Sequence, residues 1–293
     1  MINDCHCHFF SKRFFEKLAG PEGSGRQITD QLAWDFPGTP EDLADRWIEE
    51  LDGHQVGRAA LIASVPGDER SVAAAVNRYP RRFVGFFMVD PTAPQAPQRV
   101  EEALKALGLR CVCLFPAMQR FSLNDDRTLL ILEAAASKPG AAVFVHCGVL
   151  SVGVRKKLGL PSRFDMRYSN PLDLHAVALA FPQLPIIVPH FGAGFFREAL
   201  MLADLCSNVY LDTSSSNSWV KYNPGLSLEA VFDQALRVAG PDRLLFGTDS
   251  SFFPRGWQRP LFEEQQKILG QLGLSDAERE KIFRINFDGL FPI

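Results

Sequence analysis

The sequence predicts an α/β protein, a (β/α)8 TIM barrel forming one domain over residues 1–293. Three observations predict it. Short β-branched or apolar runs alternate with longer segments of helical periodicity, the pattern of a parallel sheet. Eight such runs occur, the number that closes a barrel. No Gly-rich phosphate loop follows an early strand, which disfavours the open doubly wound alternative.

The first run, Met1-Ile2, leads directly into Asp4-Cys5-His6-Cys7-His8. The second begins at Ala59 and reads Ala-Ala-Leu-Ile; the third is the uninterrupted apolar stretch from Phe83 to Val89. Cys111 to Leu114 and Ala142 to Val145 supply the fourth and fifth, each too short for a helix. Pro185 to Val188, Val209 to Leu211 and Leu244 to Phe246 complete the set. Helical periodicity follows the strands, as from Val100 to Leu107, Leu129 to Ala136 and Leu228 to Val238. Residues 10–40 and 148–172 are too long for simple connections, and loops of that length are usually functional or disordered.

Composition narrows the function classes. A hydrophobic content of 46% against 22% charged residues allows a large core. A net charge of −3 gives no electrostatic case for nucleic acid or an anionic membrane. No apolar run approaches the roughly 20 residues that span a bilayer. Cys5, Cys7, Cys111, Cys113, Cys147 and Cys206 lie mostly in strand-like runs, which reads as buried reduced thiols and a cytoplasmic protein.

Chemistry-bearing residues gather at strand ends. On a strand, residues i and i+2 share a side, so His6 and His8 are expected to face together while Cys5 and Cys7 face away. Two imidazoles converging from one strand make half of a metal site. His146 closes the fifth run, His190 the sixth, and Asp249 follows the eighth. In a barrel all C-terminal strand ends meet on one face, where active sites lie. Four of the six histidines therefore become neighbours; His54 and His175 read as ordinary polar residues.

These motifs resemble the amidohydrolase superfamily. They are Asp-x-His-x-His at the first strand, single histidines at the fifth and sixth, and Gly247-Thr248-Asp249 at the eighth. More narrowly, Tyr168-Ser169-Asn170-Pro171-Leu172-Asp173-Leu174 and Pro189-His190-Phe191-Gly192-Ala193-Gly194 resemble its amidohydrolase-related group. That group contains aminocarboxymuconate semialdehyde decarboxylase, resorcylate decarboxylases and pyrone dicarboxylate lactonase. The resemblance implies a divalent metal, zinc first and manganese as the alternative, ligated by His6, His8 and His146. Asp249 would be a further ligand or the base on a metal-bound water, and His190 would polarise the substrate or shuttle a proton. Binuclear members bridge two metals with a fourth-strand Lys or Glu. Here that strand reads Cys111-Val112-Cys113-Leu114-Phe115-Pro116, so one metal is expected.

Arginine clamps carboxylates bidentately, and the long loops carry Arg155, Lys156, Lys157, Arg163, Arg167 and Arg255. Arg163 and Arg255, set among aromatic or Pro residues, are the expected substrate-binding pair for a small carboxylate-bearing molecule. Phe115, Phe191, Phe252, Phe253 and Trp257 are candidates for the pocket wall. Phe14, Phe15, Trp34 and Phe36 are expected to be exposed, covering the barrel mouth or forming a homodimer contact. Two reactions fit. The first is hydrolysis of an ester, lactone or amide through a metal-bound water; the alternative is non-oxidative decarboxylation of an unsaturated or aromatic acid. A degenerate barrel used only for binding would leave the complete ligand set without a purpose.

Overall fold

The computed structural model describes residues 1–162 and 164–293. Eight parallel strands run in the order of the chain: β1 (Ile2–Phe9), β2 (Val56–Ala63), β3 (Phe83–Val89), β4 (Cys111–Leu114), β5 (Ala142–Val145), β6 (Ile186–Val188), β7 (Val209–Asp212) and β8 (Leu244–Leu245). Three backbone hydrogen bonds close β1 against the end of β8. The Cys5 N–H donates to Phe246 O (2.9 Å), the Asp249 N–H to His6 O (2.8 Å) and the His8 N–H to Ser250 O (2.7 Å). The expected TIM barrel is the observed fold.

Two-residue alternation sorts the side chains. Leu61, Phe87, Val112 and Val143 face the surrounding helices, while Ile62, Phe86, Cys113 and Phe144 fill the barrel. Inward residues meet across the ladder, as in Ile62 with Phe86 and Cys113 with Phe144. The end of the barrel at the strand N-termini is plugged by Phe287 and Phe291, the latter ring 5.3 Å from that of Phe86. Arg58 holds this plug, donating to Asp288 Oδ1 (2.6 Å) and Phe291 O (2.7 Å). The barrel therefore opens only at the C-terminal ends of its strands, and the site must lie there.

Two expectations are corrected. In β1 the register advances from Asp4 to Cys7 while β2 advances only from Ala59 to Leu61, so β1 carries a bulge. The extra residue breaks the alternation: Cys5 joins the barrel interior beside His6, and only Cys7 points out to the helices. The aromatics after β1 are not exposed. Helices Lys12–Ala19 and Gly25–Leu32 bury Phe14, Phe15 and Trp34 in one cluster, and Phe36 lies under the Arg26 guanidinium. Ser11, Ser24 and Thr39 cap the helices of this stretch through their side chains.

All six cysteines are free and buried. Among the described residues no helix is long and apolar enough to cross a membrane.

Candidate metal centre and active site

The bulge in β1 and the ends of β5 to β8 place His6, His8, His146, His190 and Asp249 around one cavity of about 710 Å³. Among the described residues, His6, His8 and Asp249 are the one set whose ligand atoms lie within 4.8 Å of one another. His6 Nε2 is 3.4 Å from His8 Nε2, and Asp249 Oδ1 lies 3.6 Å from the first and 3.1 Å from the second.

The outer nitrogens of these rings each have a fixed partner. His6 Nδ1 lies 2.7 Å from Asp212 Oδ2, a carboxylate that only accepts, so the Nδ1 proton is donated there. The Ser64 hydroxyl lies 2.7 Å from His8 Nδ1 and 3.0 Å from Ile62 O, and so holds the His8 ring in place. His6 Nε2, His8 Nε2 and Asp249 Oδ1 thus converge on one another, three atoms that each offer a lone pair once any proton shared between them is displaced. Such a set is stable only around a proton or a cation, and orientation of ligand histidines by an outer carboxylate or hydroxyl is how metal sites are built. The donor set fits one small divalent ion of nitrogen and oxygen preference.

His190 sits on an unusual turn. After Pro189 the backbone is left-handed at His190 (φ 55°) and Phe191 (φ 51°), each costing about 1–2 kcal/mol for an L-residue. The turn sends Phe191 into the outer core and His190 into the cavity, its ring 5.0 Å from that of His6. Its Nδ1 is 3.1 Å from Ser214 O, which can only accept, so Nδ1 carries the proton and Nε2 is left as a base. Gly148 makes room for this turn. It has φ 75°, and a Cβ there would stand 2.2 Å from Gly192 O.

His146 stands apart from the three-donor set, stacked 5.4 Å from Phe115 and edge-on to His190 at 5.3 Å. Its buried Nδ1 has no protein partner.

Electrostatics divides the groups. Burial, with the fields of His190 and His6, holds His146 well below the usual histidine range. Burial and His6 likewise lower His190. Burial opposes protonation of His6, but Asp212 outweighs it and the net shift is upward. Burial also opposes ionisation of Asp249, yet the His8 hydrogen bond and the fields of His6, His8 and His190 hold its carboxyl far below the usual range.

Arg255 lies beside the site, its Nη2 donating to Ser251 Oγ (2.8 Å) and Asp249 O (3.3 Å). Arg163, the other expected substrate-binding residue, lies outside the described residues. Of the expected wall aromatics, Phe115 and Phe252 line the cavity, whereas Phe191, Phe253 and Trp257 pack in the outer core. His54 pairs with Glu50 (3.3 Å) and His175 opens a helix, both remote from the cavity.

Sequence reasoning missed Asp212, Ser64 and Ser214. A signal for Asp212 existed: it lies two residues after Tyr210, on the inward side at the C-terminal end of β7. Ser214 accompanies it, its Oγ 2.9 Å from Asp212 Oδ2, His6 Nδ1 and His190 Nδ1 alike.

Fold and site together place four imidazoles and a carboxylate at the C-terminal strand ends of a TIM barrel, where the active sites of such enzymes lie. The Amidohydro_2 family model, an amidohydrolase model, matches residues 3–286, and the chain belongs to that family, within the amidohydrolase superfamily. A curated relative, Protein fluG of Emericella nidulans, is 26% identical over 170 residues, covering 57% of this chain. The matched region is 18% of that relative, so the chain spans only a small part of its length. Among solved structures, the chain is similar to 5-carboxyvanillate decarboxylase LigW2 from Novosphingobium aromaticivorans, which holds manganese and 3-methoxy-4-hydroxy-5-nitrobenzoic acid. The TM-score is 0.67 at 15% identity, covering 100% of this chain and 97% of that one. It is also similar to a probable 2-pyrone-4,6-dicarboxylic acid hydrolase from Acinetobacter baumannii, with a TM-score of 0.65 at 17% identity over 100% and 99% of the two chains.

Proposed function

We propose that the protein is a metal-dependent hydrolase acting on an ester, lactone or amide of a small carboxylate-bearing molecule. The observation that carries this reading is that a carboxylate, Asp249, and an imidazole with an open ring nitrogen, His190, face the cavity beside the candidate ligand set. Burial and His6 lower the proton affinity of His190, whose Nδ1 faces Ser214 O and leaves Nε2 open. A base is what hydrolysis needs first, because water must lose a proton as it attacks.

His6, His8 and Asp249 would hold one divalent ion, zinc or manganese, with His146 as a further donor. When bound, the ion supplies Lewis acidity and brings the pKa of water down to about 7. Asp249 takes the proton from water while the new C–O bond forms at the acyl carbon. The bond to the leaving oxygen or nitrogen then breaks, and the same proton passes to the leaving group. His190 Nε2 serves as the shuttle for that transfer, its ring fixed by Ser214. Arg255, anchored to Ser251, holds a substrate carboxylate beside the centre.

The alternative is non-oxidative decarboxylation of an unsaturated or aromatic acid, and the likeness to LigW2 supports it. There the C–CO₂ bond breaks, a C–H bond forms and CO₂ leaves, so a proton donor must face the substrate carbon. His190 would have to be loaded with a proton against its lowered affinity.

A panel of lactones, esters, amides and aromatic or unsaturated acids, assayed in parallel for acid release and for CO₂ release, decides between them. Acid release alone is expected; CO₂ release alone would overturn the hydrolase reading.

A further inference from the structure

The end of β7 alternates in and out of the barrel. Leu211 packs in the outer core, Asp212 turns in to His6, Thr213 turns out, and Ser214 turns in to His6 and His190. Thr213 is fully buried, and each of its polar groups is matched. Its N–H donates to Leu245 O of β8 (2.9 Å). Its hydroxyl donates to Gln265 Oε1 (2.7 Å), and its carbonyl accepts from Gln265 Nε2 (3.0 Å) and Asn217 Nδ2 (3.1 Å).

Gln265 belongs to the helix Arg259–Gln271 and does not line the cavity, yet it is only 1% exposed. A glutamine is rarely buried this far unless its amide is matched. Here the amide accepts from the Thr213 hydroxyl at one end and donates to the Thr213 carbonyl at the other, so both of its ends grip one residue. The same helix reaches the other half of the centre. Gln258, which precedes it, donates from Nε2 to Thr248 O (3.1 Å) and from its N–H to Ser250 Oγ (3.0 Å). It thereby grips both neighbours of Asp249, whose own backbone is left-handed (φ 59°). From 258 to 265 is about two helical turns, which puts both amides on one side of the helix. The strand ends they hold have no slack between them. A Cβ at Gly247 would stand 2.9 Å from Asp212 Oδ1, His6 Cβ and Ser214 Cβ alike, so a displaced β7 end must move the residues around His6.

We infer that Gln265 is a positioning residue: by gripping Thr213 it fixes Asp212 and Ser214, and through them the rings of His6 and His190. Its importance for turnover rests on the proposed reading of the cavity as the reaction site. Gln265 carries no chemical step of its own and acts from the helical layer outside the barrel.

The test combines ring ¹⁵N–¹H spectra of the metal-stripped full chain, labelled at histidine, with zinc titration of the same samples. In wild type the His6 Nδ1–H signal, identified by its loss in His6→Gln, is expected downfield and slow to exchange, because a buried carboxylate accepts that proton. Gln265→Leu should displace or broaden this signal and weaken zinc binding about tenfold or more, the usual scale for losing the outer support of a ligand histidine. Leu269→Ala, a fully buried core residue of the same helix, controls for lost stability alone. It should lower the urea midpoint while leaving the His6 signal and zinc affinity unchanged. If Gln265→Leu does not fold, Gln265→Leu/Thr213→Val pairs two apolar groups and should recover stability. Its His6 signal should stay displaced, because Thr213 O still lacks the Gln265 donor. An unaltered His6 signal in the Gln265 variants, or an equal change in Leu269→Ala, would overturn the inference. The two proposals fail separately: a wild type that takes up no zinc removes the metal centre, and the His6 signal still decides the role of Gln265.

Discussion

Asp212 Oδ2 lies 2.7 Å from His6 Nδ1, and both side chains are almost fully shielded from solvent. The contact fixes the His6 ring with its Nε2 lone pair toward His8 and Asp249. Replacing Asp212 by Asn keeps the shape but offers an N–H where His6 needs an acceptor. Removing such a partner of a ligand histidine typically lowers metal affinity about 10–100-fold. Titration of metal-stripped Asp212→Asn with a divalent ion should show that loss without loss of fold. Unchanged affinity would remove the orienting role.

Asp249 is assigned two duties, holding the ion and accepting the proton from water. Asp249→Asn should therefore lower kcat by at least about 10²-fold, the usual scale for a lost general base. The circular dichroism spectrum should stay unaltered. Steady-state kinetics on whichever substrate the panel identifies gives the answer, and a mutant within a few fold of wild type would end the assignment.

The seam between β1 and the β8 loop hangs on Asp4. Its carboxylate accepts from Thr248 Oγ1 (2.6 Å), Trp257 Nε1 (2.7 Å) and the His6 N–H (2.9 Å), all buried. Asp4→Ala strands those donors and should cost on the order of 3 kcal/mol. Urea unfolding measures it; a midpoint equal to wild type would show the seam is held otherwise.

The metal-stripped protein should lose stability in mild acid. Burial is the first cause that lowers His146, His190 and His8, so all three prefer to be neutral when folded. Unfolded histidines take up protons below about pH 6.5. As pH falls from 6.5 toward the lowered folded values the unfolded state binds more protons, and stability drops. His6, raised on balance by Asp212, acts in the opposite sense but is one against three. The urea midpoint should therefore decrease from pH 7 to pH 5, less steeply in His146→Gln. A flat profile would contradict the buried neutral assignment.

Much of this was legible in the sequence because barrel strands bury both faces and so read as continuous apolar runs. Phe83 to Val89, Cys111 to Leu114 and Ala142 to Val145 coincide with β3, β4 and β5. His6, His8, His146, His190 and Asp249 were visible because each ends or follows such a run. What escaped depends on backbone irregularity or on the partner rather than the ligand. The bulge that turns Cys5 inward is a register shift between two strands, and no single strand encodes it. Asp212 and Ser214 sit in Asp-Thr-Ser-Ser-Ser, which locally resembles a turn; their worth appears only when His6, some 200 residues away, is placed against them. The 10–40 stretch looked like an exposed loop because its helices are short, although Ser24 and Gln27 already spelled a capping box.

His6, His8 and Asp249, converging at the barrel mouth, are proposed to hold a single divalent ion. Metal analysis of the purified protein after reloading and desalting tests it most directly, alongside His8→Ala. About one zinc or manganese per wild-type chain and almost none per His8→Ala chain is expected, as one closed donor set requires. Two ions per chain, or a full complement in His8→Ala, would contradict it.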